Sequence, residues 1–129
     1  MGKSFLPGSE TWYATDSPTC NFSVIFEDDG DTGYCYAYDR ASSEDPILDA
    51  VHLYNAASIL DRDIESIVEI IWSKDGLKAA VLLNEYPHAV IDFDKCCSYS
   101  RTNYPDPPGN WKRGEWEGDL VKVFQDRSQ

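Results

Sequence analysis

Two histidines and four cysteines are the side chains of this 129-residue chain that could carry acid–base or nucleophilic chemistry. His52 closely follows Asp49, and His88 precedes Asp92 on the same predicted strand face. A histidine oriented by a carboxylate is half of many hydrolytic sites. No Gly-flanked serine and no H-E-x-x-H run accompanies either pair. A small enzyme or ligand-binding domain that uses His88, Asp92, Arg101 and a cysteine is therefore an alternative hypothesis, beside the simpler interpretation that each histidine hydrogen-bonds to backbone or to a carboxylate.

The four cysteines, Cys20, Cys35, Cys96 and Cys97, form no C-x-x-C pair. Adjacent residues of an extended strand point to opposite faces, so Cys96 and Cys97 are poorly placed to bind one metal ion. In the first predicted hairpin, Cys20 would lie about 13 Å from Cys35, which is too far for a disulfide. We expect free thiols, and neither a metal nor a cofactor.

An acidic run from Glu27 to Asp31 clusters the oxygen ligands that calcium prefers. Its register does not fit an EF-hand loop. Counted from Asp28, Gly30 takes the third position, where a ligand belongs, and Asp39 takes the twelfth, where glutamate is usual. The run is therefore interpreted as a solvated hairpin tip or as part of a contact surface for a basic partner.

Acidic side chains outnumber basic ones by 23 to 11, which gives a formal charge of -12. Nucleic acids and anionic membranes bind proteins through Lys and Arg, so this charge argues against both and favours cationic protein surfaces as partners. Hydrophobic residues make up 42% of the chain, too much for a disordered acidic tail. The N-terminus lacks the apolar run of a secretory signal, and no segment approaches the roughly 18 apolar residues of a membrane span, so we expect a cytoplasmic protein.

Two hairpins organise the predicted fold. In the first, residues 20–26 and 34–38 alternate loosely as strands around Asp29-Gly30, a dipeptide preferred in two-residue turns. That turn would place Val24 opposite Cys35.

The second hairpin joins residues 67–73 to residues 78–84 through a turn at Asp75-Gly76. Residues 88–94 add a third strand, which completes an antiparallel meander. Both faces of the hairpin carry apolar residues, so we expect a sheet that is covered on both sides. The predicted cross-strand pairs are Trp72 with Ala79, Ile70 with Val81, and Val68 with Leu83.

The remaining segments carry weaker patterns. Residues 46–54 fit an amphipathic helix and a strand equally well, residues 99–105 resemble an edge strand, and residues 120–124 resemble a short strand or helical turn. Residues 1–18 are predicted to be a loosely packed arm of a single domain that spans residues 1–129. The predicted class is α+β, dominated by an antiparallel sheet of about five to seven strands built from hairpins, with at most one or two short helices.

Three motifs carry a resemblance: the run from Trp72 to Gly76, the run from Leu83 to Phe93, and the run from Arg101 to Pro105. Together they resemble a bacterial family of small proteins known only as a domain of unknown function. The resemblance covers roughly residues 20–111 and implies a bacterial, stand-alone cytoplasmic domain. It supplies no catalytic residue.

The leading hypothesis is a non-enzymatic immunity protein, which neutralises a basic bacterial toxin by occluding its active cleft. A toxin that grips nucleic acid carries a positive cleft, and a strongly negative inhibitor would associate with it quickly. A structural or regulatory module of a larger bacterial complex is a further alternative. Acidic side chains for steering and two tryptophans as anchors form the predicted contact set: Glu27, Asp28, Asp29, Asp31, Asp61, Asp63, Glu65, Trp111 and Trp116.

Overall fold

The computed structural model describes residues 2–60 and 63–125. Ten strands in this part of the chain form two sheets that enclose a shared core. In chain order they are β1 (Lys3–Phe5), β2 (Thr11–Asp16), β3 (Phe22–Asp28), β4 (Thr32–Asp39), β5 (Ile47–Asn55), β6 (Ser66–Trp72), β7 (Lys78–Leu83), β8 (Tyr86–Asp92), β9 (Cys97–Ser100) and β10 (Lys112–Gly114).

The larger sheet has the strand order β1-β6-β7-β8-β9-β10, and the smaller has the order β2-β3-β4-β5. Neighbouring strands are antiparallel except β9 and β10, which run parallel. Inward-facing residues alternate along the strands, and Phe26, Val51, Val81 and Ile91 are fully buried between the sheets. The predicted class, dominated by antiparallel sheet with very little helix, is confirmed.

The second predicted hairpin and its meander are confirmed. β6 and β7 pair Trp72 with Ala79, Ile70 with Val81, and Val68 with Leu83. Gly76 has a φ of 73°, which the turn requires and which glycine adopts at little cost. β8 then pairs antiparallel with β7.

The first hairpin exists, but its predicted register is wrong. β3 and β4 pair Val24 with Ala37 and Phe26 with Cys35, a shift of two residues along β4. The turn is centred on Gly30-Asp31, and Gly30 has a φ of 101°. The side chain of Asp29 selects this turn because its Oδ1 accepts the amides of Asp31 and Thr32, each at 2.9 Å. A two-residue shift keeps every side chain on its predicted face.

The structure decides one segment that was ambiguous in the sequence and corrects the prediction for another. Residues 47–55 form strand β5 and not a helix. The N-terminal residues are not a loose arm, since β1 pairs with β6, β2 pairs with β3, and Phe5 is buried in the core. Tertiary pairing overrides the weak local propensity of both segments.

The outer face of the larger sheet is covered by the C-terminal segment. A 3₁₀ turn (Gly118–Val121) leads into helix α1 (Lys122–Gln125), and Phe124 packs against Ala80 and Val90. This is the second covered face that the apolar pattern of the meander predicts. None of the helical segments within residues 2–60 and 63–125 has the length or apolar character needed to cross a membrane.

Candidate partner-binding surface

Seven accessible acidic side chains lie at one end of the two-sheet structure, which we call the acidic end. Strand pairing places the β3–β4 turn beside the end of β5, and the amide of Ala56 donates to the carbonyl of Asp31 at 2.8 Å. The start of β6 pairs with the end of β1 at the same end. The exposed or half-exposed carboxylates here are Glu10, Glu27, Asp29, Asp31, Asp63, Glu65 and Glu85.

Charges of both signs lie at the opposite end. There the two sheets meet through the stacked rings of Phe22 and Phe93, whose centroids are 4.4 Å apart. The described basic and acidic residues next to the strand ends there are Arg40, Lys74, Lys78, Lys95 and Lys112, and Asp16, Asp39, Glu44, Asp45, Asp75 and Asp94. Opposite charges therefore largely offset one another at this end, whereas carboxylates predominate at the acidic end, where Arg101 lies 5.8 Å from the ring of Tyr86.

Asp29 is the exposed carboxylate at the centre of the acidic end. Hydrogen bonds from the backbone amides of Thr32 and Asp31 lower its pKa below the ordinary value. The group is therefore fully ionised at neutral pH. The turn holds this charge in a fixed position.

Asp28, in contrast, is almost fully buried, with 1% exposure. Its carboxylate accepts the amides of Gly8 at 2.8 Å and Gly30 at 2.9 Å, and the hydroxyl of Tyr54 at 2.6 Å. Burial and this hydrogen bond raise the pKa of Tyr54. Asp28 therefore ties the β1–β2 loop to the β3–β4 turn, and its burial removes it from the predicted contact residues.

The two tryptophans predicted as anchors have different positions. Trp111 is buried and packs edge to face on Phe93, with ring centroids 5.8 Å apart, so it has no indole surface for a partner. Trp116 is half-buried, and the guanidinium of Arg101 lies 4.8 Å from its ring centroid. Of the steering residues, Asp63 and Glu65 are exposed, whereas Asp61 lies outside the described residues.

A third tryptophan, Trp12, was missed by the sequence reasoning. It lies on β2 with 58% of its surface exposed, facing outward beside Glu27 on β3. The signal that could have found it is the alternation of β2, in which Trp12, Ala14 and Asp16 share one face.

The residues of the enzyme alternative lie in two separate pairs, His88 with Arg101 and Asp92 with Cys97, and do not converge on one site. His88 lines a cavity with Phe5 and Tyr54, whereas Asp92 is buried at the other end of β8, where its Oδ1 accepts the amides of Asp94 and Lys95. Desolvation, followed by the nearby Arg101, lowers the pKa of His88. The ring nitrogens of the other histidine contact Thr102 Oγ1 and Asn55 Oδ1, not a carboxylate.

Asp49, the carboxylate near His52 in sequence, is committed to a buried ion pair. Arg113 Nη1 lies 2.6 Å from its Oδ2, and Arg113 Nη2 lies 3.0 Å from its Oδ1. The side chain of Arg113 is 7% exposed, and that of Asp49 is 0% exposed. Arg113 also donates to the carbonyl of Pro105, so it fastens the loop before β10 to β5.

The four cysteines are free thiols. Cys35 is fully buried, and this burial raises its pKa far above the ordinary value. Among residues 2–60 and 63–125, no three His, Cys, Asp or Glu side chains are grouped to hold a metal ion.

Comparison with known proteins gives one family and one curated relative. Residues 5–125 match the family described as an uncharacterized protein conserved in bacteria (DUF2251). An uncharacterized protein of Haemophilus influenzae is 42% identical over 97 residues, which are 74% of this chain and 60% of that protein. The chain thus spans about 60% of the length of the curated relative. No solved structure matches.

Proposed function

We propose that this chain, which belongs to the family of uncharacterised proteins conserved in bacteria, is a non-enzymatic domain that binds a basic protein. More specifically, we propose an immunity protein that occludes the active cleft of a cationic toxin. The observation that carries the proposal is the unequal balance of charge along the molecule. Seven accessible carboxylates lie at the acidic end, whereas at the other end five basic side chains offset most of the accessible carboxylates.

The negative charge of the acidic end attracts a cationic partner before the two proteins touch. A cleft that binds nucleic acid is positively charged, and a negative surface is drawn into it at a rate well above that of a neutral protein. The carboxylates of Asp29, Asp31 and Asp63 stand on loops at the acidic end, where they can take the positions that phosphates would occupy. A concentrated negative end orients the inhibitor as well as attracting it.

The absence of converging catalytic groups within the described residues agrees with a binding role. His88 and Asp92 lie at opposite ends of β8, and Asp92 is used by a turn. The Asp49 carboxylate is held by Arg113. These polar side chains stabilise the fold.

A second candidate function, a module of a larger bacterial complex, is favoured by one observation. Apolar side chains are exposed close to the acidic end: Leu60 at 96%, Ile64 at 60% and Tyr86 at 68%. Such a group is unusual on an isolated domain and is typical of a surface that a partner covers. Binding through this apolar group would be insensitive to salt, whereas binding through the acidic end would weaken as the salt concentration rises.

Growth protection tests the proposal. Genes adjacent to the one encoding this chain would be induced singly in a laboratory host, and any that arrests growth would be co-expressed with this chain. We expect growth to be restored. Failure of this chain to protect against, or to bind, the product of any neighbouring toxic gene would contradict the immunity role.

Two matched charge variants make the test specific. Asp31→Lys, Asp63→Lys and Glu85→Lys change the acidic end, while Glu44→Lys, Asp94→Lys and Asp106→Lys make the same change of charge at exposed sites away from it. Protection should be lost with the first triple and kept with the second. Equal loss of protection with both triple variants would show that only the net charge of the protein matters, and not the acidic end.

A further inference from the structure

The two sheets differ in what covers their outer faces. Phe124 and its neighbours pack on the outer face of the larger sheet. On the smaller sheet, Tyr104 meets His52 of β5 edge to face, with ring centroids 5.9 Å apart. The rest of its outer face carries Trp12 of β2, Ile25 and Glu27 of β3, and three tyrosines of β4. We call this surface the tyrosine face: Trp12, Ile25, Glu27, Tyr34, Tyr36 and Tyr38.

The tyrosine face is ordered by contacts among its own side chains. The rings of Tyr34 and Tyr36 are inclined by only 19°, with centroids 6.3 Å apart, and His52 meets Tyr34 edge to face at 5.4 Å. The hydroxyl of Tyr36 donates to Glu27 Oε1 at 2.8 Å. Burial and then this hydrogen bond raise the pKa of Tyr36, so its hydroxyl remains a donor throughout the physiological range. The rings therefore form a preorganised platform.

Trp12 stands between two depressions in the surface. On one side is a cleft of about 350 Å³ that is lined by Thr11 and by the carboxyl-bearing residues Glu10, Glu27, Asp28 and Asp29. On the other side is a groove of about 330 Å³, which runs along β2 and β3 toward Tyr38 and includes Asp16. Each depression combines an aromatic wall with carboxylates.

This combination matches the chemistry of one side chain. A guanidinium is flat, stacks on aromatic rings, and bonds to carboxylates through a rigid fork of donors, whereas an ammonium is a compact and strongly hydrated charge. In the groove, Arg40 Nη1 forms an ion pair with Asp16 Oδ2 at 3.7 Å, so a guanidinium already lies beside a carboxylate there. The described residues that line the cleft on the other side of Trp12 include carboxylates and no cation, and Lys3 Nζ donates to the carbonyl of Trp12 at 3.1 Å.

We propose that the tyrosine face is the surface on which the basic partner docks, and that an arginine of the partner enters the cleft beside Trp12. The inference rests on the proposed function and adds the surface and the side chain that it recognises. Trp12 would stack on the guanidinium, while Glu10, Glu27 and Asp29 would neutralise it. Charge complementarity selects this occupant, since a second copy of the chain would bring carboxylates against carboxylates.

The test uses three synthetic peptides of one sequence, with two arginines, two lysines or two citrullines at the same alternate positions. Citrulline keeps the shape of arginine without its charge. Binding is followed through the backbone amide resonances and the indole N–H resonance of Trp12, which is assigned by its loss in Trp12→Phe. We expect the arginine peptide to shift this resonance saturably, and the citrulline peptide to bind at least about tenfold more weakly.

Two variants locate the site. Trp12→Ala should weaken binding of the arginine peptide by about tenfold or more, and Ile67→Ala, at an exposed apolar side chain on the larger sheet, should leave it unchanged. Native spectra establish that both variants are folded. Equal binding of arginine and citrulline peptides, shifts confined to the larger sheet, or concentration-dependent self-association through the tyrosine face would each overturn the proposal.

The outcome separates this inference from the function on which it rests. If Trp12→Ala keeps full growth protection while the acidic-end triple loses it, the docking surface is wrong and the immunity role stands. If the arginine peptide binds at Trp12 but no neighbouring toxic product is neutralised, the surface stands and the immunity role fails.

Discussion

Replacing Asp28 with asparagine separates a structural carboxylate from a partner-binding one. The side chain accepts three hydrogen bonds and is 1% exposed. In Asp28→Asn, the amide oxygen can keep the bond from the Gly30 amide, but the new NH₂ group then faces the Gly8 amide, another donor. The Tyr54 hydroxyl can rotate to accept, whereas the Gly8 N–H has no such freedom.

The magnitude follows from those partners. One buried donor without an acceptor costs about 1–3 kcal/mol, and the loss of charge assistance in the remaining bonds adds about 1 kcal/mol. We therefore expect Asp28→Asn to lower the free energy of unfolding by about 2–4 kcal/mol. The matched variant Tyr54→Phe removes only one bond and should cost about 1–2 kcal/mol.

Urea unfolding followed by tryptophan fluorescence measures both values, and hydrogen exchange reports the Gly8 amide directly. The Gly8 amide should exchange faster in Asp28→Asn, because it loses the acceptor that links the β1–β2 loop to the turn. Unfolding free energies for Asp28→Asn within about 0.5 kcal/mol of the parent would refute the reasoning. If Asp28→Asn lost partner binding while its stability stayed unchanged, Asp28 would have to be counted among the partner-contacting residues.

Three further outcomes are expected. Arg113→Met should lower the free energy of unfolding by about 3–5 kcal/mol in urea titrations, because Asp49 is left buried without its cation, and adding Asp49→Asn should recover part of the loss. The pKa of His88 in the folded protein lies below its ordinary value. Below about pH 6.5 the unfolded chain therefore binds more protons than the folded chain, and the melting temperature should rise with pH in this range. His88→Asn should flatten that slope. In native protein, Cys20 should react with a thiol reagent well before Cys35, as mass spectrometry of the labelled peptides would show.

The register of the β6–β7 hairpin could be predicted from sequence because its determinants are local. Apolar residues fill both strands, and a single Asp-Gly dipeptide marks the turn. The β3–β4 hairpin offers two glycines, Gly30 and Gly33, in an acidic run. The register there is selected by the side chain of Asp29 and by the hydrogen bond that Asp28 accepts from the amide of Gly8, which lies in a distant loop. A local pattern carries no information about that loop.

The same limit explains why the sequence did not predict the N-terminal strands or the positions of the tryptophans. β1 pairs with β6, which is far along the chain, and β1 has only three residues. Trp111 lies in a proline-rich stretch that suggested exposure, yet it packs on Phe93, whereas Trp12 lies in a segment taken for an arm and is exposed. The side chains of the two tryptophans are identical, so only tertiary packing distinguishes an anchor from a core residue.

The association rate constant of this chain with its purified partner tests the central claim most directly. It would be measured by stopped-flow fluorescence in about 50 mM and then 500 mM salt. Binding led by the acidic end predicts a rate at least about tenfold lower at the higher salt, and a similar loss for the acidic-end triple variant at the lower salt. A rate that is independent of salt, and unaffected by Asp31→Lys, Asp63→Lys and Glu85→Lys, would contradict the account.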